Sequence, residues 1–153
     1  MDISLDFEDL FKTLNAFRIK YLVVGAHAVM FYTEPRYTKD MDVWIVPEIN
    51  DAEKVYEALK QFGAPLKNLF PADFKDKKMI LQIGVPPVRI DIMLEVPGIV
   101  FASAWKNKKK TKYGKTPIYI LGIEDIMRAK QTAGRPTDLG DLEKLKRKNK
   151  SLS

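Results

Sequence analysis

Tyr21–Val46, Y-L-V-V-G-A-H-A-V-M-F-Y-T-E-P-R-Y-T-K-D-M-D-V-W-I-V, is the stretch from which the rest of the chain can be read. Its apolar opening, Tyr21–Val24, predicts a short buried strand, and Gly25 then lets the backbone turn sharply. One or two helical turns follow. A second strand begins with two carboxylates, Asp40 and Asp42. Residues two apart in a strand project to the same face, about 7 Å apart. Asp40, Asp42 and Trp44 therefore share one face, and Met41, Val43 and Ile45 the other. The apolar trio requires a core, while the acidic pair requires water, a cation or a ligand.

Asp-x-Asp alone is a common pattern, and Val88–Val96, V-R-I-D-I-M-L-E-V, gives it meaning. Val88, Ile90, Ile92 and Leu94 form one face of this alternating strand; Arg89, Asp91, Met93 and Glu95 form the other. If the two strands are neighbours, Asp91 lies on the side of Asp40 and Asp42. Three converging carboxylates repel one another unless a cation neutralises them. Oxygen-only ligands, with no His or Cys expected nearby, suit Mg²⁺ or Mn²⁺ rather than Zn²⁺. The metal reading requires that Asp91 face the pair and that no basic group already neutralise the three.

Gly25-Ala26, Arg36-x-Thr38-x-Asp40-x-Asp42 and the strand-borne Asp91 resemble the nucleotidyltransferase superfamily of the DNA polymerase beta type. They are most similar to its small prokaryotic members, the abortive-infection and toxin-like nucleotidyltransferases. Ile123–Leu142, with Lys130, Gly134-Arg135-Pro136, Asp138 and Asp141, resembles the ending of the same small proteins. The matches run from about Tyr21 to Leu145. The resemblance implies an α+β fold with a mixed sheet, helices packed on one face and an open acidic face. It implies Asp40, Asp42 and Asp91 as metal-binding catalytic residues, with Asp40 and Asp42 bridging two ions. Gly25 and Ala26 would offer amides to a triphosphate, and Arg36, Lys130 and Arg135 would supply charge to it. Asp138 and Asp141 would hold those cations or cap the last helix. Ala26 departs from the pattern, since a second Gly or a Ser is usual there and a Ser hydroxyl contact is lost.

Composition agrees with one domain over 1–153, its C-terminal helical pair at about 123–148. At 46% hydrophobic, 153 residues can bury a sizeable core. Without Cys there is no disulfide or thiolate zinc site. No apolar run approaches the roughly 20 residues that span a bilayer. The acidic opening M-D-I-S-L-D-F-E-D does not read as a signal peptide, and a cytoplasmic protein with no membrane partner is expected. A net charge of +6 permits a polyanionic partner without demanding one.

The remaining elements follow from periodicity. Leu5–Phe17 predicts an amphipathic helix capped at Ser4 or Asp6. A helix starting at Gly25 presents free amides and its positive dipole end, a natural seat for phosphate. His27, in its first turn, reads as a packed residue or a nucleotide contact. Asn50 is expected to cap a helix over Asp51–Phe62, and Ala64–Lys78 reads as irregular. Met79–Ile83 and Val88–Leu94 read as a hairpin about G-V-P-P. Gly98–Trp105 reads as a short helix, and Lys106–Lys115 as a solvated basic loop that could instead grip RNA phosphates. A strand over Thr116–Leu121, two helices broken at Gly134–Pro136 and a frayed tail complete the chain.

The function expected is metal-dependent transfer of a nucleoside monophosphate from a nucleoside triphosphate to a hydroxyl-bearing acceptor such as RNA or protein. A non-catalytic nucleotide-binding relative is the alternative, favoured by Ala26. A metal-dependent nuclease or phosphatase fits less well, because hydrolysis needs no triphosphate cradle. A homodimer completing a groove and an antitoxin partner are both compatible with the resemblance.

Overall fold

A computed structural model describes residues 7–35, 40–46, 50–85 and 88–152. The two residues that the sequence offers as caps for the first helix lie outside them, as does Arg36. That helix, α1, spans Phe7–Ala16 and buries Leu10, Phe11 and Leu14. Strand β1 (Tyr21–Val24) runs directly into α2 (Gly25–Tyr32), and β2 covers Asp40–Ile45. Helix α3 (Ala52–Phe62) ends at Gly63 in left-handed backbone. A 3-10 turn at Pro71–Lys75 gives order to part of the segment that reads as irregular. Then come β3 (Ile80–Val85), β4 (Val88–Met93), α4 (Phe101–Lys106), β5 (Lys109–Tyr113), β6 (Thr116–Ile120), α5 (Ile123–Ala133) and α6 (Pro136–Leu152).

The six strands form one mixed sheet in the order β3-β4-β2-β1-β6-β5. The pairings β3–β4, β1–β2 and β5–β6 are antiparallel, whereas β2–β4 and β1–β6 are parallel. The α+β mixed-sheet reading therefore holds. The odd-numbered residues of β2, Met41, Val43 and Ile45, are buried in the main core. On the other side of the sheet, Trp44 is also buried and meets Phe101 of α4 edge-on, ring centroids 5.0 Å apart. That face is thus covered at the Trp44 end and open toward Asp40.

Three details differ from the sequence reading. Asp51, not Asn50, caps α3, accepting from the Glu53 amide at 3.0 Å. Asn50 is buried and ties two segments together. It accepts from the Lys20 amide (2.8 Å) and donates to the Lys20 and Val46 carbonyls (2.9 and 3.1 Å). The basic run is an edge strand rather than a loop, with Lys109, Lys110 and Lys112 exposed on β5. Helix α6 also continues through the expected frayed tail to Leu152. Among the described residues no helix is long and apolar enough to cross a membrane.

Candidate active site

The parallel register of β2 and β4 sets Asp42 directly opposite Asp91, and Asp40 opposite Arg89. Neighbouring strands lie about 4.8 Å apart, so Asp42 and Asp91 stand side by side. Val24 of β1 and Gln82 of β3 extend the same row to either side. The three aspartates therefore share one sheet face, because each occupies an even step of its strand or pairs in register with one that does.

The three are not left to repel one another. Arg89 Nη2 donates to Asp40 Oδ2 at 2.9 Å and to Asp91 Oδ2 at 3.1 Å, and its Nε donates to Asp91 Oδ1 at 3.0 Å. The expectation of carboxylates free of a basic partner is corrected here. Arg89 precedes Asp91 by two residues, so its side chain must emerge on the same face, and the register delivers it to Asp40. That alternation was visible in the sequence; the strand register that completes the contact was not.

Asp42 has no such relief. Burial, then the charges of Asp91 and Asp40, push its carboxyl up to about 6, against the opposing pull of Arg89 and Lys130. Gly25 explains how closely it is held. With φ at +70°, Gly25 starts α2 in left-handed backbone, and a Cβ there would stand 2.9 Å from Asp42 Cγ. Only glycine allows the start of α2 to lie this close to the Asp42 side chain. Ala26 is the second residue of that helix, and α2 has no side-chain cap at its N-terminus. Its leading amides are left for another partner.

Gly25 and Asp42 open on a cavity of about 260 Å³ whose far wall comes from α5 and α6. Lys130, Arg135 and Asp138 supply its polar groups; Leu121, Ile126 and Met93 are among its apolar ones. Lys130 Nζ lies 3.2 Å from Asp138 Oδ1 and 3.1 Å from Asp141 Oδ2. Arg135 Nε donates to Asp138 Oδ2 at 2.6 Å, and Asp138 also accepts from the Arg135 amide at the start of α6. These contacts hold the Asp138 carboxyl down at about 2. The two cations are therefore fixed at the cavity by a pair of buried aspartates. The apolar wall was not anticipated, since it depends on how α5 lies against the β4–α4 loop, where Thr132 stands beside Gly98.

His27 lies further along α2, edge-on to Phe7 at 5.9 Å, and its buried Nε2 has no hydrogen-bond partner. Burial lowers its basicity while nearby Asp40 raises it. The residue is packed rather than presented to the cavity.

Carboxylate oxygens suit a hard divalent ion in donor chemistry, and the unrelieved charge at Asp42 would welcome one. Among the described residues, however, no three acidic or imidazole side chains are arranged to hold a metal ion, because Asp40 and Asp91 turn to Arg89. The residues match such an ion in donor type only.

The profile of the family described as "Nucleotidyl transferase of unknown function (DUF2204)" matches residues 4–153. No curated protein matches the chain. Among solved structures it is similar to the lincomycin-bound lincosamide antibiotic adenylyltransferase LnuA, at 19% identity and TM-score 0.56, covering 94% of this chain and 98% of that one. It is similar to ANT(2'')-Ia in complex with adenylyl-2''-tobramycin, at 13% identity and TM-score 0.60, covering 96% and 87%. It also resembles an antigenic nucleotidyltransferase-like protein from Paracoccidioides brasiliensis, at 19% identity and TM-score 0.56, covering 91% and 73%. At these identities the structural likeness bears on the fold alone.

Proposed function

Because this chain belongs to that nucleotidyl transferase family, we propose that it moves a nucleoside monophosphate from a nucleoside triphosphate to a hydroxyl-bearing acceptor, using Mg²⁺ or Mn²⁺. The observation that carries the reading is the cavity that joins Gly25 and Asp42 to Lys130 and Arg135, one strand away from Asp91. Amides and cations would take the anionic phosphates of a triphosphate, while the carboxylates at and beside the cavity would hold the divalent ion that travels with it.

In the reaction the acceptor oxygen bonds to the α-phosphorus and the bond from that phosphorus to the bridging oxygen of pyrophosphate breaks. Pyrophosphate leaves with the electron pair. The α2 amides at Gly25 and Ala26 and the side chains of Lys130 and Arg135 stabilise charge on the β- and γ-phosphates. Asp138 and Asp141 hold Lys130 in place, so that it needs no reorganisation when charge develops. Arg89 releases Asp40 and Asp91, after which Asp91 takes the proton of the acceptor hydroxyl. Asp40, Asp42 and Asp91 would hold a divalent cation, which when bound would neutralise charge and make the acceptor hydroxyl more acidic. The triphosphate requirement suits a cytoplasmic site of action.

The test incubates the protein with Mg²⁺ and each of the four labelled nucleoside triphosphates. Total RNA, protein and hydroxyl-rich small molecules serve as acceptors, the last because the similar LnuA is a lincosamide antibiotic adenylyltransferase and ANT(2'')-Ia binds adenylyl-2''-tobramycin. Label should appear on one acceptor class with wild type and not with Asp42→Asn. No transfer from any nucleotide to any class, with both proteins alike, refutes the reading. Tight nucleotide binding without turnover selects the non-catalytic alternative, to which the Arg89 pairing lends support.

A further inference from the structure

A second cavity, of about 420 Å³, lies on the sheet face that carries the aspartates. Trp44, Leu94, Val100 and Phe101 line it, and Lys77 and Glu95 are its charged residues. Among the described residues the buried Trp44 Nε1–H has no hydrogen-bond partner. A buried indole N–H usually finds one, and the edge-on Phe101 ring is a weak acceptor at best. Trp44 pairs with Met93 in the same register that pairs Asp42 with Asp91. Trp44 therefore lies two residues, about 7 Å, beyond the aspartate pair along the strands. Val96 and Pro97 line both this cavity and the one that opens on Gly25, so the two adjoin. Thr132 of α5 stands against Gly98 and backs the loop between them.

We propose that this second cavity seats the acceptor, and that the acceptor is a small neutral ring compound carrying a hydroxyl and a second oxygen. The inference rests on nucleotidyl transfer being the activity, and it names the acceptor class for that reaction. The volume falls within the range of about 300–1,000 Å³ of small-molecule sites, which are likewise mostly apolar with a few polar groups. The second oxygen accepts from Trp44 Nε1 and so orients the molecule, with its hydroxyl at the Asp91 end. About 7 Å separates those two positions, a reach that one or two rings supply. There the hydroxyl gives its proton to Asp91 as its oxygen bonds to the α-phosphorus, and pyrophosphate leaves with the electron pair. Charge decides against other acceptors. An RNA backbone needs several cations, whereas Lys77 is one, balanced by Glu95. The exposed lysines of β5 stand three strands from β2, about 14 Å away, and line no part of this cavity. A polycationic acceptor would meet a single carboxylate, that of Glu95.

Titration of the full chain with 4-hydroxyacetophenone and 4-hydroxycyclohexanone, followed by nuclear magnetic resonance, tests this. Trp44 and Trp105 give the two indole N–H resonances, which Trp105→Phe assigns. The Trp44 resonance should move downfield and saturate, while that of Trp105 stays. Trp44→Phe removes the donor and should weaken probe binding roughly three- to tenfold by calorimetry. Val100→Phe enters the cavity from its exposed rim and should abolish probe binding with an unchanged circular dichroism spectrum. In the labelling assay the same variant should raise the KM for a ring alcohol about fivefold or more and leave the KM for the nucleotide unchanged. No saturable shift with either probe overturns the proposal, as does equal probe binding by Trp44→Phe. So does a KM change confined to the nucleotide, which gives the cavity to the base, or label appearing on RNA or protein alone. Transfer to a ring alcohol that Val100→Phe leaves untouched refutes the cavity and spares nucleotidyl transfer. Probe binding by a chain that transfers no label refutes nucleotidyl transfer, and the acceptor role with it.

Discussion

Replacing Asp42 with Asn tests whether the site is strained in the absence of a cation. The Asp42 carboxyl is pushed up from its ordinary 3.8 to about 6 by burial and by the charges of Asp91 and Asp40. A group that holds its proton more tightly folded than unfolded costs stability once ionised. The cost is absent below about pH 3.8, grows as the pH rises toward 6, and is full above it. At 1.36 kcal/mol for each tenfold change in proton affinity, the ceiling is about 3 kcal/mol, and solvent screening at a partly exposed carboxyl reduces it. Asparagine keeps the shape beside Gly25 and carries no charge, so it should recover roughly 1–3 kcal/mol at pH 7.5.

Urea unfolding of both proteins in chelator, from pH 4.5 to 8, measures the difference directly. The midpoint of Asp42→Asn should exceed that of wild type at pH 7.5, and the gap should close as the pH falls. Melting temperatures should differ by about 2–4 °C for each kcal/mol in a chain of this size. Added Mg²⁺ should shrink the gap from the wild-type side, and the variant should transfer no nucleotide. A gap of zero, or one that does not change with pH, would refute the claim that the site stores electrostatic strain.

Three further expectations follow from the same contacts. Arg89→Met should bind Mn²⁺ more tightly than wild type by calorimetry, because no guanidinium competes for Asp40 and Asp91; equal or weaker binding shows that Arg89 does not occupy the ion's place. Asp138→Asn should destabilise the protein by roughly 1–3 kcal/mol in urea, since Arg135 and Lys130 lose a buried charged acceptor. Its contribution in wild type is present at neutral pH and lost as the pH falls from the ordinary 3.8 through about 2, so the two proteins should converge in acid. Asn50→Ala should cost about 2–3 kcal/mol, read as a lower urea midpoint with unchanged slope, because three hydrogen bonds between the β1 entry and the β2 exit vanish together.

What could be read in advance followed from periodicity within single strands. Alternation in D-M-D-V-W-I and V-R-I-D-I-M assigned every side chain of β2 and β4 to its face, and the register then brought Asp42 and Asp91 together. Alternation could not supply the register itself, which arises from the packing of Met41, Val43, Ile90 and Ile92 in a shared core. The pairing of Arg89 with Asp40 depends on that register, so it escaped the sequence although Arg89 stood on the right face all along. Asn50 misled for another reason: a polar residue before a helix reads as a cap, and only tertiary structure reveals two carbonyls and an amide converging on its side chain.

The C-terminal half of the cavity shows how far spacing alone can reach. Lys130 sits four residues before Gly134, whose left-handed backbone ends α5 and turns the chain into α6 at Pro136. That turn brings Asp138 and Asp141, one helical turn apart on α6, against Lys130. The cluster is local in sequence and therefore legible, but its placement opposite Gly25 is not, because it requires α5 to pack beside the opening of α2. Lys130 already acts across the cavity, lowering the proton affinity of Asp42 against the pull of the other aspartates. The two halves of the site are thus coupled by charge before any ligand arrives. Under the proposed function the phosphates would lie beside Gly25, Lys130 and Arg135, and Arg89 would have to leave Asp40 and Asp91 before those carboxylates could take a cation.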